Sequence, residues 1–229
     1  YYIAEYAHRN FFDIKVKQYN SSEPIIENLS QLLLDANCNF LGFYVDSENI
    51  WAIRQLIPLL KQKVKNLCVV LGGPQVTGDP QLALKRVPFA NFIVVGEGEK
   101  TITQLLKVDK TDVLQLQEIK GIAYLDSKGK YVYTGDIPKS VIDEYPYPRR
   151  ELYTLDNDVD FVDILTGRGC VGKCAFCFEG NKKNNNLRLR SIEDVIDEID
   201  YVIANLKTFK YISFLDDTFI INRKRIISI

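Results

Sequence analysis

The sequence has no methionine, a single histidine and only five cysteines in 229 residues, and its formal net charge is −1. Each shortage removes a class of function. A charge balance this even provides no broad basic field for nucleic acid and no acidic tail. No apolar run is long enough to span a bilayer, and no signal-peptide pattern opens the chain. Five cysteines, odd in number and clustered, do not make a disulfide framework and suit a reducing cytosol. The lone histidine, His8, cannot complete a second ligand pair for zinc. It is read as a surface or satisfied helix residue. The absence of methionine, position 1 included, and ends that fall inside helix-like segments are expected of a trimmed chain. Methionines dropped from the sequence are a second route to the same composition.

What is present begins with cysteine. Three of the five lie in Gly167 to Gly180 as C-x3-C-x2-C, directly after the apolar run Phe161 to Leu165. Three soft thiolates from one short loop indicate zinc or iron–sulfur. A structural zinc site needs a fourth Cys or His at a matching pair, and none follows. Cys38 and Cys68 lie in apolar surroundings upstream and read as small core residues. Three ligands, Cys170, Cys174 and Cys177, with a fourth position open fit a [4Fe–4S] cluster.

The chain is long enough for one large or two modest domains. Tyr1 to Asn10 is helix-like. Phe12 to Tyr19 alternates as a half-buried strand does, and Ser22-Glu23-Pro24 starts a helix. Asn39 to Val45, Asn66 to Leu71 and Ala90 to Val95 read as buried strands. Between and after them come helices over 50–64, 79–86 and from Lys100. Trp51 is expected to pack its helix. This is an α/β pattern, a parallel sheet covered on both faces, whose ligands bind at the carboxyl ends of the strands. Asp46-Ser47-Glu48, Gly72 to Thr77 and Gly96 to Glu99 fall at those ends. Their glycines allow close backbone approach, although any one such turn alone would read as a strand terminus. Ile119 to Tyr124 and Lys130 to Tyr133 form a hairpin, read with the prolines after it as a connector. Phe161 to Leu165 then opens a second βαβα segment. Asn181 to Arg190 reads first as a solvated loop, with Arg188 or Arg190 near an anionic cofactor group as the functional alternative. Ser191 caps a helix with an apolar stripe from Ile192 to Ile203, and Lys210 to Leu215 is a strand ending at Asp216-Asp217.

C-x3-C-x2-C with Phe176 before the last cysteine resembles the signature of the radical SAM superfamily. GFYVDS, GGPQVT and VVGEGE together resemble the cobalamin-binding domain that precedes many radical SAM barrels, over roughly residues 1 to 107. The resemblance implies a Rossmann-like cobalamin-binding domain over 1–110, a hairpin and linker over 111–155, and the start of a partial (β/α) barrel of the TIM type over 156–229. It implies cobalamin contacts at Ser47, Gly72, Gly73, Gln75, Thr77, Gly96, Glu97 and Gly98. The SAM contacts would be Phe176, Asp216 and Asp217; FLDDTF is similar to the second-strand motif of this family. One of the two aspartates could instead cap the next helix. The implied cofactors are a [4Fe–4S] cluster, S-adenosylmethionine (SAM) and cobalamin. The implied activity is reductive cleavage of SAM to a 5′-deoxyadenosyl radical for methylation of an unactivated carbon. A small-molecule or peptide substrate, an electron donor such as flavodoxin or ferredoxin, and a cytoplasmic setting without nucleic acid or membrane go with it. The alternatives are a radical SAM enzyme of non-methylating outcome (rearrangement, cyclisation or methylthiolation) and a non-catalytic iron–sulfur or zinc redox module.

Overall fold

The structure, a computed structural model, describes residues 1–17, 24–138, 141–152, 160–177, 187–206 and 208–229. They form two compact units. One is Tyr19–Pro138; the other combines Tyr1–Gln18 with Lys139–Ile229. In chain order the helices are α1 (Tyr2–Arg9), α2 (Ile25–Asp35), α3 (Ile50–Lys63), α4 (Pro74–Gly78), α5 (Pro80–Arg86), α6 (Glu99–Lys107), α7 (Val113–Glu118), α8 (Ile192–Asn205) and α9 (Arg223–Ser228). The strands are β1 (Phe40–Tyr44), β2 (Cys68–Gly72), β3 (Phe92–Val94), β4 (Ile122–Leu125), β5 (Tyr131–Tyr133), β6 (Phe161–Ile164), β7 (Gly167–Arg168), β8 (Arg188–Leu189) and β9 (Tyr211–Phe214).

In the Tyr19–Pro138 unit, Ile50, Ile53, Ile57 and Leu60 recur at helical spacing on α3 and are all buried. They pack with Val69 and Leu71 of β2 and Ile93 of β3 into one core. Strands β1, β2 and β3 run parallel, in the register Phe40↔Cys68 and Val70↔Phe92. This is the expected α/β layering, and it gathers three strand carboxyl ends at one edge. The sheet then turns antiparallel. The hairpin read as a connector supplies β4 and β5, which extend the sheet beyond β3. Coverage of both faces is incomplete at the edge strand β1, where Gly42 and Tyr44 are exposed. Cys38 and Cys68 are half-buried, and burial pushes the Cys68 thiol up to about 11. Trp51 does not pack its helix: it is exposed, with the Arg54 guanidinium 5.7 Å from its ring centroid.

In the other unit β6 and β9 pair in parallel and α8 crosses between them. Val162 and Ile164 of β6 meet Val202 of α8 in a small core. Ser191 caps α8 as expected, its hydroxyl accepting from the Asp194 N–H at 3.3 Å. The strand expected over Phe12 to Tyr19 does not form in residues 12–17, where Val16 alone bridges; residues 18 and 19 lie outside the described residues. The Ser22-Glu23 helix start also lies outside them, and α2 follows directly on Pro24. Compactness groups α1 with the late strands and the hairpin with the first sheet, so the units are drawn differently from segments 1–110, 111–155 and 156–229. Among the described residues no helix is long and apolar enough to cross a membrane.

Candidate functional site

Three turns meet at the carboxyl ends of β1, β2 and β3, and mostly main chain joins them. The Val45 N–H donates to the Gly72 carbonyl at 2.7 Å, and the Gln75 N–H donates to the Val45 carbonyl at 3.3 Å. The Gly96 N–H donates to the Thr77 hydroxyl at 3.1 Å. The first turn closes on itself, with Asp46 Oδ1 accepting from the N–H groups of Glu48 and Asn49, each at 2.9 Å. Gly73 has φ +107°, and a Cβ there would stand 2.6 Å from the Val45 carbonyl oxygen. Only glycine fits. At Gly72 and Gly96 a Cβ would meet nothing within 4 Å, so their backbone lies bare. Ser47 and Gly96 are exposed, Gly72, Gly73, Gln75, Thr77 and Glu97 are partly exposed, and Gly98 is buried. Seven of the eight predicted residues belong to the second and third turns; Thr77 and Gly96 join those turns directly. The stretch read as a glycine turn is helical from Pro74, forming α4. Tyr44, which the sequence reading passed over, stands 67 % exposed at the same strand end, its ring against Gly73. Bare backbone on an open strand edge suits a flat ligand such as a corrinoid.

The cysteine loop follows β6 and β7. None of the three forms a disulfide; Cys174 is exposed, and Cys170 and Cys177 are half-buried. The Gly172 N–H donates to Cys170 Sγ at 3.3 Å. A Cβ on Gly172 would lie 3.3 Å from Cys170 Sγ and 3.7 Å from Cys174 Sγ, so these two sulfurs flank the glycine. Among the described residues no three His, Cys, Asp or Glu side chains converge as a metal cage. The donor set, three thiols on one short loop, nonetheless suits an iron–sulfur cluster. Phe176 is 93 % exposed. Asp216 turns both oxygens to Thr166, accepting from its N–H at 2.7 Å and its hydroxyl at 2.5 Å. Asp217 is exposed. The next helix, α9, is capped by Asn222 rather than by either aspartate.

Around the end of β6 lies a buried ionic network that the sequence reading missed. Glu198 of α8 is fully buried and accepts from Arg150 at 2.7 Å and Arg190 at 2.5 Å. The Tyr2 hydroxyl donates to it at 3.3 Å, and accepts from the Leu165 N–H at 3.2 Å. Burial, with Glu198 beside it, pushes the Tyr2 hydroxyl up to about 12. Glu5 of α1, also fully buried, takes Arg9 at 3.0 Å and Arg149 at 3.1 Å. The neighbours Arg149 and Arg150 therefore serve different carboxylates. Arg190 is not a solvated residue: its side chain is 2 % exposed and also pairs with Asp194 at 2.6 Å. Arg188 joins β8, which pairs with β7; residues 181–186 lie outside the described residues. A signal was present, since Glu198 falls on the same helix face as Val195 and Val202.

Residues 1–106 match the B12 binding domain family model. TokK of Streptomyces tokunonensis, a cobalamin-dependent radical SAM methyltransferase, is 24% identical over 80% of this chain and 28% of its own. Residues 1–106 thus carry a B12 binding domain, in a chain similar to cobalamin-dependent radical SAM proteins. An uncharacterized methyltransferase of Pyrococcus horikoshii is 29% identical over 96% of this chain and 49% of its own. The radical S-adenosylmethionine methyltransferase TsrM of Kitasatospora setae, solved with a SAM analogue, aligns over 98% of this chain and 46% of its own. Its TM-score is 0.71 at 17% identity, which shows a shared fold. The chain spans about half the length of the P. horikoshii relative, and less of the others.

Proposed function

We propose that this chain acts in a cobalamin-dependent radical SAM enzyme that methylates an unactivated carbon. The observation that carries this reading is the three-cysteine loop after β6, in a chain whose residues 1–106 match a B12 binding domain. When bound, the cluster would supply one electron to SAM and the corrinoid a methyl group, and the protein's part is placement and exclusion of water. Cys170, Cys174 and Cys177 would hold the cluster. Phe176 and Asp217 would contact SAM, a carboxylate being able to accept from its ammonium group. Asp216 sets the strand end through Thr166. The bare turns at Ser47, Gly72, Gly73, Gln75, Thr77, Gly96, Glu97 and Gly98 receive the corrinoid. The division of labour is cobalamin in 1–110, a hairpin and linker in 111–155, and radical chemistry in 156–229. A small-molecule or peptide substrate, a flavodoxin or ferredoxin as reductant and a cytoplasmic setting complete the proposal.

The test is anaerobic turnover of the full chain, loaded with iron, sulfide and hydroxocobalamin, with SAM and a reductant. Release of 5′-deoxyadenosine together with a substrate product heavier by one CH2 supports methylation. 5′-Deoxyadenosine with a product that gains no carbon redirects the reading to rearrangement or ring formation. No SAM cleavage from a loaded cluster overturns it.

A further inference from the structure

The Thr218 hydroxyl and the Cys170 sulfur lie 2.8 Å apart, although 48 residues separate them. Cys170 follows β7, and Thr218 sits in the turn after β9. Two contacts hold that turn in place. Asp216 clamps the end of β9 to Thr166, which leads into β7. On the other side, Phe219 stacks on Phe214 of β9 with centroids 4.5 Å apart and planes within 5°. The Gly172 N–H adds a second donor to the same sulfur at 3.3 Å. A cysteine bound to iron is a thiolate and can only accept, so in that state the hydroxyl must be the donor.

We infer that Thr218 is a positioning residue whose hydroxyl donates to Cys170 Sγ and thereby raises the reduction potential of the cluster that Cys170 helps to hold. The inference rests on the function proposed above. Adding an electron makes the cluster and its sulfurs more negative. A hydrogen bond to sulfur stabilises that more negative form preferentially, and such bonds are among the levers that set iron–sulfur potentials. Thr218 acts through the sulfur and need touch neither SAM nor substrate. The ordinary reading, a turn residue that packs by its methyl group, predicts no effect on potential.

The experiment compares the unsubstituted full chain with Thr218→Val and Thr218→Ser, each loaded anaerobically with iron and sulfide. Valine keeps the shape and drops the hydroxyl; serine keeps the hydroxyl and drops the methyl. Dithionite donates one electron to each [4Fe–4S]2+ cluster, and the EPR signal of the reduced form is followed against potential. At the midpoint of the unsubstituted chain, the reduced-to-oxidised ratio of Thr218→Val should be lower by about tenfold, which is about 59 mV for a one-electron couple. Thr218→Ser should stay within about twofold of the unsubstituted chain on the same scale. A valine variant that loses the cluster while the serine variant keeps it also supports the hydroxyl's role. Equal potentials at equal iron and sulfide content overturn the inference, as does a serine variant that shifts as far as valine. Absence of any cluster in the unsubstituted chain overturns the proposed function instead.

Discussion

The two units hold their candidate site groups by different means. In the Tyr19–Pro138 unit the turns are tied by main chain: Val45, Gly72, Gln75 and Gly96, with the Thr77 hydroxyl as the side-chain member. In the unit formed by Tyr1–Gln18 and Lys139–Ile229, side chains carry the load: Tyr2, Glu5, Arg149, Arg150, Arg190 and Glu198 around the end of β6, and Asp216 on Thr166. Main-chain ties tolerate most residues and fail only where a Cβ cannot fit. A buried ionic network fails whenever one partner changes, because the remaining charge is left without compensation.

The comparison can be broken most sharply at the cysteines. Cys170→Ala, Cys174→Ala and Cys177→Ala should each abolish the brown cluster and SAM cleavage, while Cys38→Ala and Cys68→Ala keep both. Loss of the cluster in Cys68→Ala would refute the ligand assignment. Next in size is Glu198→Ala, which leaves Arg150 and Arg190 buried without their carboxylate. A loss of about 3–5 kcal/mol in urea unfolding is expected, as for other broken buried pairs. A loss within the range of exposed pairs, below about 1 kcal/mol, would show that the network is not the scaffold.

Gly73→Ala forces a Cβ against Val45 at φ +107°, with a strain cost on the order of 1–3 kcal/mol. Corrinoid uptake should fall with cluster content unchanged. Gly96→Ala also sits at positive φ (+85°), but in open space, and should cost less. Equal effects would mean that steric fit at Val45 is not what makes Gly73 necessary.

The smallest effect is on pH dependence. Tyr2 is raised from an ordinary 10.0 to about 12 in the folded chain. The stability its neutral hydroxyl contributes is complete below pH 10 and is lost as pH climbs toward 12. Between pH 9 and 11 the urea midpoint should therefore fall more steeply in the unsubstituted chain than in Tyr2→Phe. Parallel slopes would contradict the burial of this group.

The same contrast explains what could be read in advance. Ile50, Ile53, Ile57 and Leu60 announce a helix face, Val69 to Leu71 a buried strand, and Ser191 a cap, because each signal is local. The cysteine spacing is local as well. By contrast, Glu198 reads as one acid among Asp194, Asp197 and Asp200 on α8, and its partners lie at Tyr2 and Arg150. No local period connects them. The segment around Val16 misled for a related reason: its alternation is real, but only Val16 bridges among residues 12–17. The burial of Arg190 was hidden for the same reason: a basic residue in a polar stretch gives no hint of a carboxylate two turns along the following helix.

The most direct test of the central claim is iron, zinc and acid-labile sulfide analysis, with an anaerobic ultraviolet–visible spectrum, on the full chain after reconstitution with iron, sulfide and hydroxocobalamin. The account predicts iron and sulfide in equal amounts and both iron–sulfur and corrinoid absorption, with the iron–sulfur component alone lost in Cys174→Ala. Zinc without sulfide, or an iron–sulfur spectrum that survives Cys174→Ala, would contradict it.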